Sequence, residues 1–173
     1  AQLMHIQTHL MSGWCAADLF DLTPRERFLA MIAASAADVD GLGILVSWEL
    51  YGEQHHVLAH NALFGATLSS LLALLSRQRL QAFGLFMALY HLHLVLDYFG
   101  SGPGWGIAYQ WPFSSELWLS PHAWELASWQ NFAAGLALLG WTLVIAIRKR
   151  RTPLEFVAPK LDQKVVRVLR REA

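Results

Sequence analysis

Residues 82–99 read AFGLFMALYHLHLVLDYF, an apolar stretch with two histidines and an aspartate near its end. Its length and composition are typical of a helix buried in a protein core or a membrane. His93 and Asp97 are four positions apart, so they share one face of this helix and both side chains can reach one ion. His91 is only two positions from His93 and points to roughly the opposite side. The stretch therefore predicts an apolar helix that contributes to a metal site.

The composition indicates an integral membrane protein. Of the 173 residues, 55% are hydrophobic and only 15% are charged, whereas about a quarter of the residues of a soluble globular protein are charged. The formal net charge is zero, which argues against nucleic acid as a partner because phosphate binding needs a basic surface. Cys15 is the single cysteine, so the chain has neither an internal disulfide framework nor a cysteine-based zinc site.

Five apolar segments each predict a hydrophobic helix. They are 8–20, 27–37, 61–75, 82–99 and 132–147. Thr23 and Pro24 predict the start of the second helix. Several segments are shorter than the roughly 20 residues that cross a bilayer upright. The fold is therefore predicted to be all-α, a compact membrane-embedded bundle of about five short hydrophobic helices. Residues 1–150 form this domain, and residues 151–173 form a cytoplasmic amphipathic helix.

Histidines and aspartates lie at the ends of these segments. Seven of them fall on alternate ends along the chain: His9, Asp38, Asp40, His55, His60, His93 and Asp97. Successive helices of an up-and-down bundle alternate in direction, so these ends are predicted to meet at one side. Imidazole and carboxylate ligands without thiolate suit zinc or manganese, and also iron. Ionisable groups are costly inside a membrane, which favours a functional role for this cluster.

The remaining polar and aromatic residues have simpler interpretations. One of His55 and His56 is expected to face solvent. His5 and His122 are expected at the membrane interface. The aromatic-rich loop 104–129 is typical of a membrane-interface belt. Its functional alternative is a lid, or a lipid-contacting loop beside the metal site.

Five short motifs occur in order between residues 8 and 114: THLMSG, ADVDG, HHVLAHN, HLVLD and WPFS. Together they resemble the family of membrane-bound metal-dependent hydrolases, which includes the LexA-regulated inner-membrane hydrolase-like proteins. That family is distantly similar to the all-helical zinc phospholipase C and P1 nuclease fold, an analogy of fold that does not fix function. His56 and Val57 stand where the family has Arg-Gly.

The resemblance implies a metal-dependent hydrolase that acts on a phosphoester, a membrane lipid or a lipid-linked molecule. The residues expected to bind the metal are His9, Asp38, His55, His60, His93 and Asp97. One or two divalent ions, zinc first and manganese or iron as alternatives, would activate water for attack. Asp38 and Asp40 are expected to be catalytic, with Asp40 as the general base or as the partner of a histidine ligand.

Two other functions stay open at this point. One is a catalytically silent membrane protein with a structural metal or none. The other is a haem-binding membrane protein, since histidines on apolar helices also ligate haem. The haem interpretation gives no role to the three aspartates at the same helix ends.

The basic residues predict the orientation in the membrane. Lys and Arg occur only in residues 24–27, in residues 77–79 and from Arg148 onward. These are alternate ends of the five segments, so all thirteen fall on one side, which the positive-inside rule makes cytoplasmic. The C-terminus is therefore expected in the cytoplasm, and the histidine-rich side is expected to be the exoplasmic face of a bacterial inner membrane.

Overall fold

The computed structural model describes residues 6–171, and the prediction for His5 lies outside the described residues. The described part is all-α, as predicted, and its only β-type contact is an isolated bridge between Ile107 and Trp118. Seven α-helices and one 3₁₀ helix follow in chain order: α1 Ile6–Ala17, α2 Pro24–Ser35, the 3₁₀ helix Ala36–Leu45, α3 Trp48–Gln54, α4 Ala62–Leu74, α5 Arg79–Gly100, α6 Trp129–Lys149 and α7 Pro159–Arg170.

The five predicted apolar segments correspond to α1, α2, α4, α5 and α6, and the C-terminal amphipathic segment corresponds to α7. Two elements differ from the prediction. The second apolar segment is predicted to end at residue 37, but the helical chain continues there as the 3₁₀ helix Ala36–Leu45. Turns of 3₁₀ helix are common at the end of an α-helix. Helix α3 has no apolar run, but it begins at a cap in which Ser47 accepts a hydrogen bond from the Leu50 amide.

The start of α2 agrees with the sequence prediction. Thr23 caps the helix, Pro24 occupies its first turn, and Glu26 completes a capping box by accepting from the Thr23 amide at 2.9 Å. Glu26 also accepts a hydrogen bond from the Arg77 amide at 2.8 Å. This second bond fixes the turn between α4 and α5 against the start of α2.

Small residues let α1 and α2 approach each other closely near His9. A β-carbon at Gly13 of α1 would lie 2.8 Å from the carbonyl oxygen of Ala30 in α2. It would also lie 2.8 Å from the β-carbon of Ala34, which is fully buried. Close approach through small residues is typical of helices that pack within a membrane. It brings the first turns of α1, and with them His9, against the end of α2.

Within residues 6–171, three stretches are long and apolar enough to cross a membrane: Pro24–Leu45, Arg79–Gly100 and Trp129–Lys149. Helix α4 is apolar but shorter. Helix α1 has 12 residues and is therefore about 18 Å long, well short of the bilayer core. The protein is thus an integral membrane bundle in which the shorter helices α1 and α4 pack against these three long stretches.

The basic residues and the candidate site lie at opposite ends of the bundle. Asp18, after α1, pairs with Lys149 at the end of α6 and with Arg151, and Arg27 near the start of α2 pairs with Glu155. Helix α5 has 22 residues, so about 30 Å separates its basic start from its C-terminal turn. That turn contains Asp97. This arrangement agrees with the alternating helix direction on which the predicted cluster depends.

Candidate metal centre

The structure brings all seven predicted site residues together at one end of the bundle. They come from α1, the 3₁₀ helix, the turn before α4 and the C-terminal half of α5: His9, Asp38, Asp40, His55, His60, His93 and Asp97. Six of these residues are buried, and Asp38 is partly exposed. A cluster this polar is unusual inside an apolar bundle and calls for a specific compensating interaction.

Asp97 is the centre of the cluster. Its Oδ2 lies 2.9 Å from Nε2 of His93 and 3.0 Å from Nε2 of His60, and its Oδ1 lies 3.3 Å from Nε2 of His9. Ser101 donates to Oδ1 from one turn later at 3.2 Å. The His93–Asp97 pair therefore shares one helix face, as the four-residue spacing predicts.

Asp40 holds two histidines in position instead of facing the centre. Its Oδ1 lies 2.8 Å from Nδ1 of His55, and its Oδ2 lies 2.9 Å from Nδ1 of His60. Its Oδ2 also accepts from the Ala59 amide at 3.0 Å. A carboxylate on the remote nitrogen of an imidazole fixes the tautomer and the orientation of a metal ligand. Of the two roles expected for Asp40, these bonds favour the positioning role.

His60 and His93 direct the same nitrogen toward the centre. His93 donates from Nδ1 to the Ala34 carbonyl oxygen at 2.8 Å, and His60 is held through Nδ1 by Asp40. In the neutral rings both Nε2 atoms therefore carry the lone pair. These atoms lie 3.2 Å from each other and no more than 3.0 Å from Oδ2 of Asp97. Three acceptors at this spacing repel one another unless a proton or a metal cation lies among them.

The acid–base properties of His60 and His56 differ because their neighbours differ. Burial opposes the charged form of His60, but hydrogen bonds from its ring to Asp40 and Asp97 outweigh burial and raise its pKa to about 9. Burial, assisted by the charge on His60, holds the pKa of His56 well below its ordinary value. His56 therefore offers a neutral imidazole. The proton on His60 occupies a position that a cation can take over on binding.

Several buried polar atoms in the cluster have no hydrogen-bond partner among the described residues: both ring nitrogens of His9, Nδ1 of His56 and Oδ2 of Asp38. The Nε2 of His9 lies close to Asp97 but lacks hydrogen-bond geometry. A buried polar atom without a partner costs about 1–3 kcal/mol, and such atoms are rare in proteins. Their convergence fits a bound ligand that accepts lone pairs.

The spacing and the chemistry of the donors fit a divalent metal ion. Two ligand atoms that are each about 2.0 Å from a tetrahedral zinc lie about 3.3 Å apart, close to the observed His9–Asp97 distance of 3.3 Å. Three overlapping sets each bring their ligand atoms within 4.8 Å of one another: His9, Asp38, His93 and Asp97; His56, His60 and Asp97; and Asp40, His55 and His60. Imidazole with carboxylate suits zinc, manganese or iron.

One prediction about the histidines was wrong. Neither His55 nor His56 faces solvent, since their exposed fractions are 3% and 1%. His56 adopts a left-handed backbone conformation with φ of 68°. This conformation removes the alternation that would send neighbouring side chains to opposite sides. No pattern in the sequence indicates such a turn at a histidine, which is why His56 was missed.

The other histidines lie outside the cluster. His91 faces away, with Nδ1 at 2.8 Å from the Met87 carbonyl oxygen and Nε2 at 3.0 Å from the Tyr109 hydroxyl. This placement agrees with the helical-face argument. His122 is exposed in the aromatic loop, as is Glu125 nearby.

The aromatic loop forms one wall of the site and one wall of an adjacent cavity. Trp105 lies 5.7 Å from the rings of both His55 and His56. Next to it, a cavity of about 400 Å³ is lined by His91, Leu94, Val95, Tyr98, Ile107, Tyr109 and Trp118. The cavity follows the face of α5 that carries His91, which faces away from the His93–Asp97 cluster. The largely apolar cavity and the cluster therefore share α5 and the aromatic loop but lie on different faces of that helix.

Comparison with known proteins identifies one family. A family model described as YdjM inner membrane protein matches residues 4–160. No curated protein and no solved structure gives a significant match to the chain.

Proposed function

The chain belongs to the YdjM inner membrane protein family, and we propose that it is a membrane-bound metal-dependent hydrolase. One observation carries this proposal: Nε2 of His60, Nε2 of His93 and Oδ2 of Asp97 converge in a buried site with their lone pairs facing one another. Such an arrangement binds a cation well. Two further carboxylates, those of Asp38 and Asp40, lie beside these three atoms, and Asp40 is directed to histidine rings instead of to the centre.

The residues proposed to hold metal are His9, Asp38, His60, His93 and Asp97, with His55 beside them next to Asp40. A divalent ion bound there, with zinc expected first and manganese or iron as alternatives, supplies Lewis-acid activation of water and of the bond to be cleaved. Asp40 fixes the positions of the His55 and His60 rings through its hydrogen bonds. Without that support, the ligand geometry would relax.

Asp38 is the carboxylate best placed to move a proton. It is the one partly exposed member of the predicted site, and its Oδ2 has no hydrogen-bond partner within residues 6–171. Its Oδ1 lies 3.7 Å from Nε2 of His93, near the centre but looser than the Asp97 contacts. We infer that Oδ2 of Asp38 accepts a proton from the attacking water. Both oxygens of Asp40 are already engaged, so Asp40 is less suited to this role.

The apolar cavity supports a lipid or a lipid-linked phosphoester as substrate. Its lining is almost entirely apolar and aromatic, and a volume of about 400 Å³ falls within the range of small-molecule pockets. An acyl or prenyl chain in this cavity would lie along the His91 face of α5, and its polar headgroup would reach around the C-terminal turn of that helix to Asp97. Trp105, which covers His55 and His56, would then act as the lid expected of the aromatic loop.

A structural metal in a catalytically silent protein is the second candidate. The observation that favours it is the near-complete burial of the cluster, in which His9, His60 and His93 have no exposed surface. A haem is less compatible, because the rings of His9 and His93 stack with their centres 3.8 Å apart and leave no room for a porphyrin between them.

The experiment that separates these candidates is a chelator test on detergent-purified protein. We expect slow cleavage of a chromogenic phosphodiester or of phospholipid in mixed micelles, abolished by chelator and restored by added zinc or manganese. The Asp97→Asn variant serves as the control for contaminating hydrolases. Metal bound to the wild type, without turnover on phosphodiesters, phospholipids or acyl esters, would favour the structural-metal candidate.

We also propose that the site faces the exoplasm and that the C-terminus lies in the cytoplasm. The proposal rests on the positive-inside rule, since the basic residues lie at the end of the bundle opposite to Asp97. To test it, single cysteines are placed at the exposed positions Glu53 and Gln78 in a Cys15→Ser background. A membrane-impermeant thiol reagent on intact spheroplasts should label Glu53→Cys and spare Gln78→Cys. The reverse pattern would put the site in the cytoplasm.

A further inference from the structure

His56 is a buried histidine with an unused ring nitrogen at the edge of the site. Its side chain is 1% exposed, and its Nδ1 has no hydrogen-bond partner among the described residues. Its Nε2 lies 3.7 Å from Oδ2 of Asp97. The ring centre lies 4.4 Å from that of His60. His56 is therefore directed into the cluster.

The backbone holds His56 in this position by an unusual conformation. Its φ of 68° lies in the left-handed region, which residues other than glycine seldom adopt. The His56 carbonyl oxygen accepts from the Ala108 amide at 2.9 Å, so the aromatic loop fixes the turn. Residues in such conformations concentrate at binding and catalytic sites.

The ligands are too many for one ion. The two ligand sets that contain Asp97 together comprise six side chains: His9, Asp38, His56, His60, His93 and Asp97. A tetrahedral zinc takes four ligands, and the six ligand atoms do not all lie within 4.8 Å of one another, so a six-coordinate ion does not gather them either. The six divide into two sets that share one residue, since Asp97 belongs both with His9, Asp38 and His93 and with His56 and His60. A carboxylate with two oxygens can serve both sets at once.

We propose that His56, His60 and Asp97 hold a second divalent cation, next to the one held by His9, Asp38 and His93, with Asp97 as the bridging ligand. The inference rests on the proposed function and deepens it. Sites with two metals about 3.5–4 Å apart are the usual solution for phosphoester hydrolysis, because the two ions stabilise the attacking and the leaving oxygens.

The charges of the cluster indicate why a second ion matters for the substrate. Asp38, Asp40 and Asp97 contribute three negative charges. With every imidazole neutral, one divalent ion would leave the site with a net charge of one negative, which repels an anionic phosphoester. Two divalent ions make the net charge one positive, which attracts it. The substrate class that fits the two-ion site is therefore an anionic phosphoester.

The test counts metal ions in the full chain. Detergent-purified protein is loaded with manganese(II), freed of excess metal, and analysed by elemental analysis and by electron paramagnetic resonance. We expect two manganese ions per wild-type chain with a spin-coupled signal. His56→Gly should retain one ion and give an uncoupled signal. Glycine suits the left-handed backbone at this position, so the turn is expected to survive.

Two further variants make the outcome decisive. His56→Asn keeps a residue tolerant of positive φ and should also retain one ion, whereas the exposed His122→Asn should retain two. One ion in the wild type, or two ions in both His56 variants, would overturn the second site. A folded His56 variant with no ion would also overturn the division into two sets. No ion in the wild type would instead refute the proposed function.

Discussion

Asp97→Asn should lower zinc affinity by at least about 100-fold. Loss of a residue that only supports a metal ligand costs up to about 100-fold in affinity, and Asp97 is proposed to bind the metal directly. The substitution keeps the shape of the side chain but removes its charge, and it can turn an amide NH₂ toward Nε2 of His60 and His93. Asp97 is 2% exposed and contacts three of the histidine rings. No neighbouring carboxylate reaches the same three nitrogens. Competition with a chromophoric chelator in detergent measures the change.

The matched control is His91→Gln on the same helix. His91 lies two residues from His93 but bonds to the Met87 carbonyl and the Tyr109 hydroxyl, outside the cluster. We expect zinc affinity within about threefold of the wild type. Equal loss in both variants would mean that the substitutions damage α5 as a whole. Full retention in Asp97→Asn would place the metal elsewhere or remove it from the account.

Asp38→Asn should reduce turnover by about 100-fold or more while the protein still binds metal. General-base catalysis contributes about 10²–10⁴ to a rate, and an amide cannot accept the proton that Oδ2 of Asp38 would accept. His9, His93 and Asp97 remain to hold the ion. The measurements are turnover on the phosphodiester substrate and metal content of the same preparation. Glu53→Gln, an exposed change in α3, is the control and should leave both unchanged.

The result for Asp38→Asn also separates two roles for that residue. Lost turnover with retained metal supports the proton-transfer role. Parallel loss of metal and turnover would make Asp38 mainly a ligand, and an unchanged rate would exclude it from catalysis.

Helical periodicity was enough to predict much of the site. The four-residue spacing placed His93 and Asp97 on one face and directed His91 away, because the helical repeat fixes those directions. The alternating direction of the helices predicted that His9 would meet them, although it is more than 80 positions away in the chain. These predictions hold because they depend on regular structure, which local sequence encodes.

The features of the site that depend on irregular backbone or on tertiary hydrogen bonds could not be predicted from the sequence. His56 points into the cluster only because of its left-handed turn, which depends on the hydrogen bond from Ala108. Likewise, the sequence left Asp40 with two roles, because the choice depends on bonds to His55 and His60 that form across the fold. Tertiary hydrogen bonds of this kind leave no periodic pattern to detect.

The central claim is that this polar cluster is a metal centre with imidazole and carboxylate ligands. Zinc K-edge X-ray absorption on the loaded, desalted wild-type protein tests it most directly. We predict a first shell of nitrogen and oxygen at about 2.0–2.1 Å, with outer-shell scattering from several imidazoles and no sulfur at about 2.3 Å. Zinc that is lost on desalting, or a shell without imidazole scattering, would contradict the account.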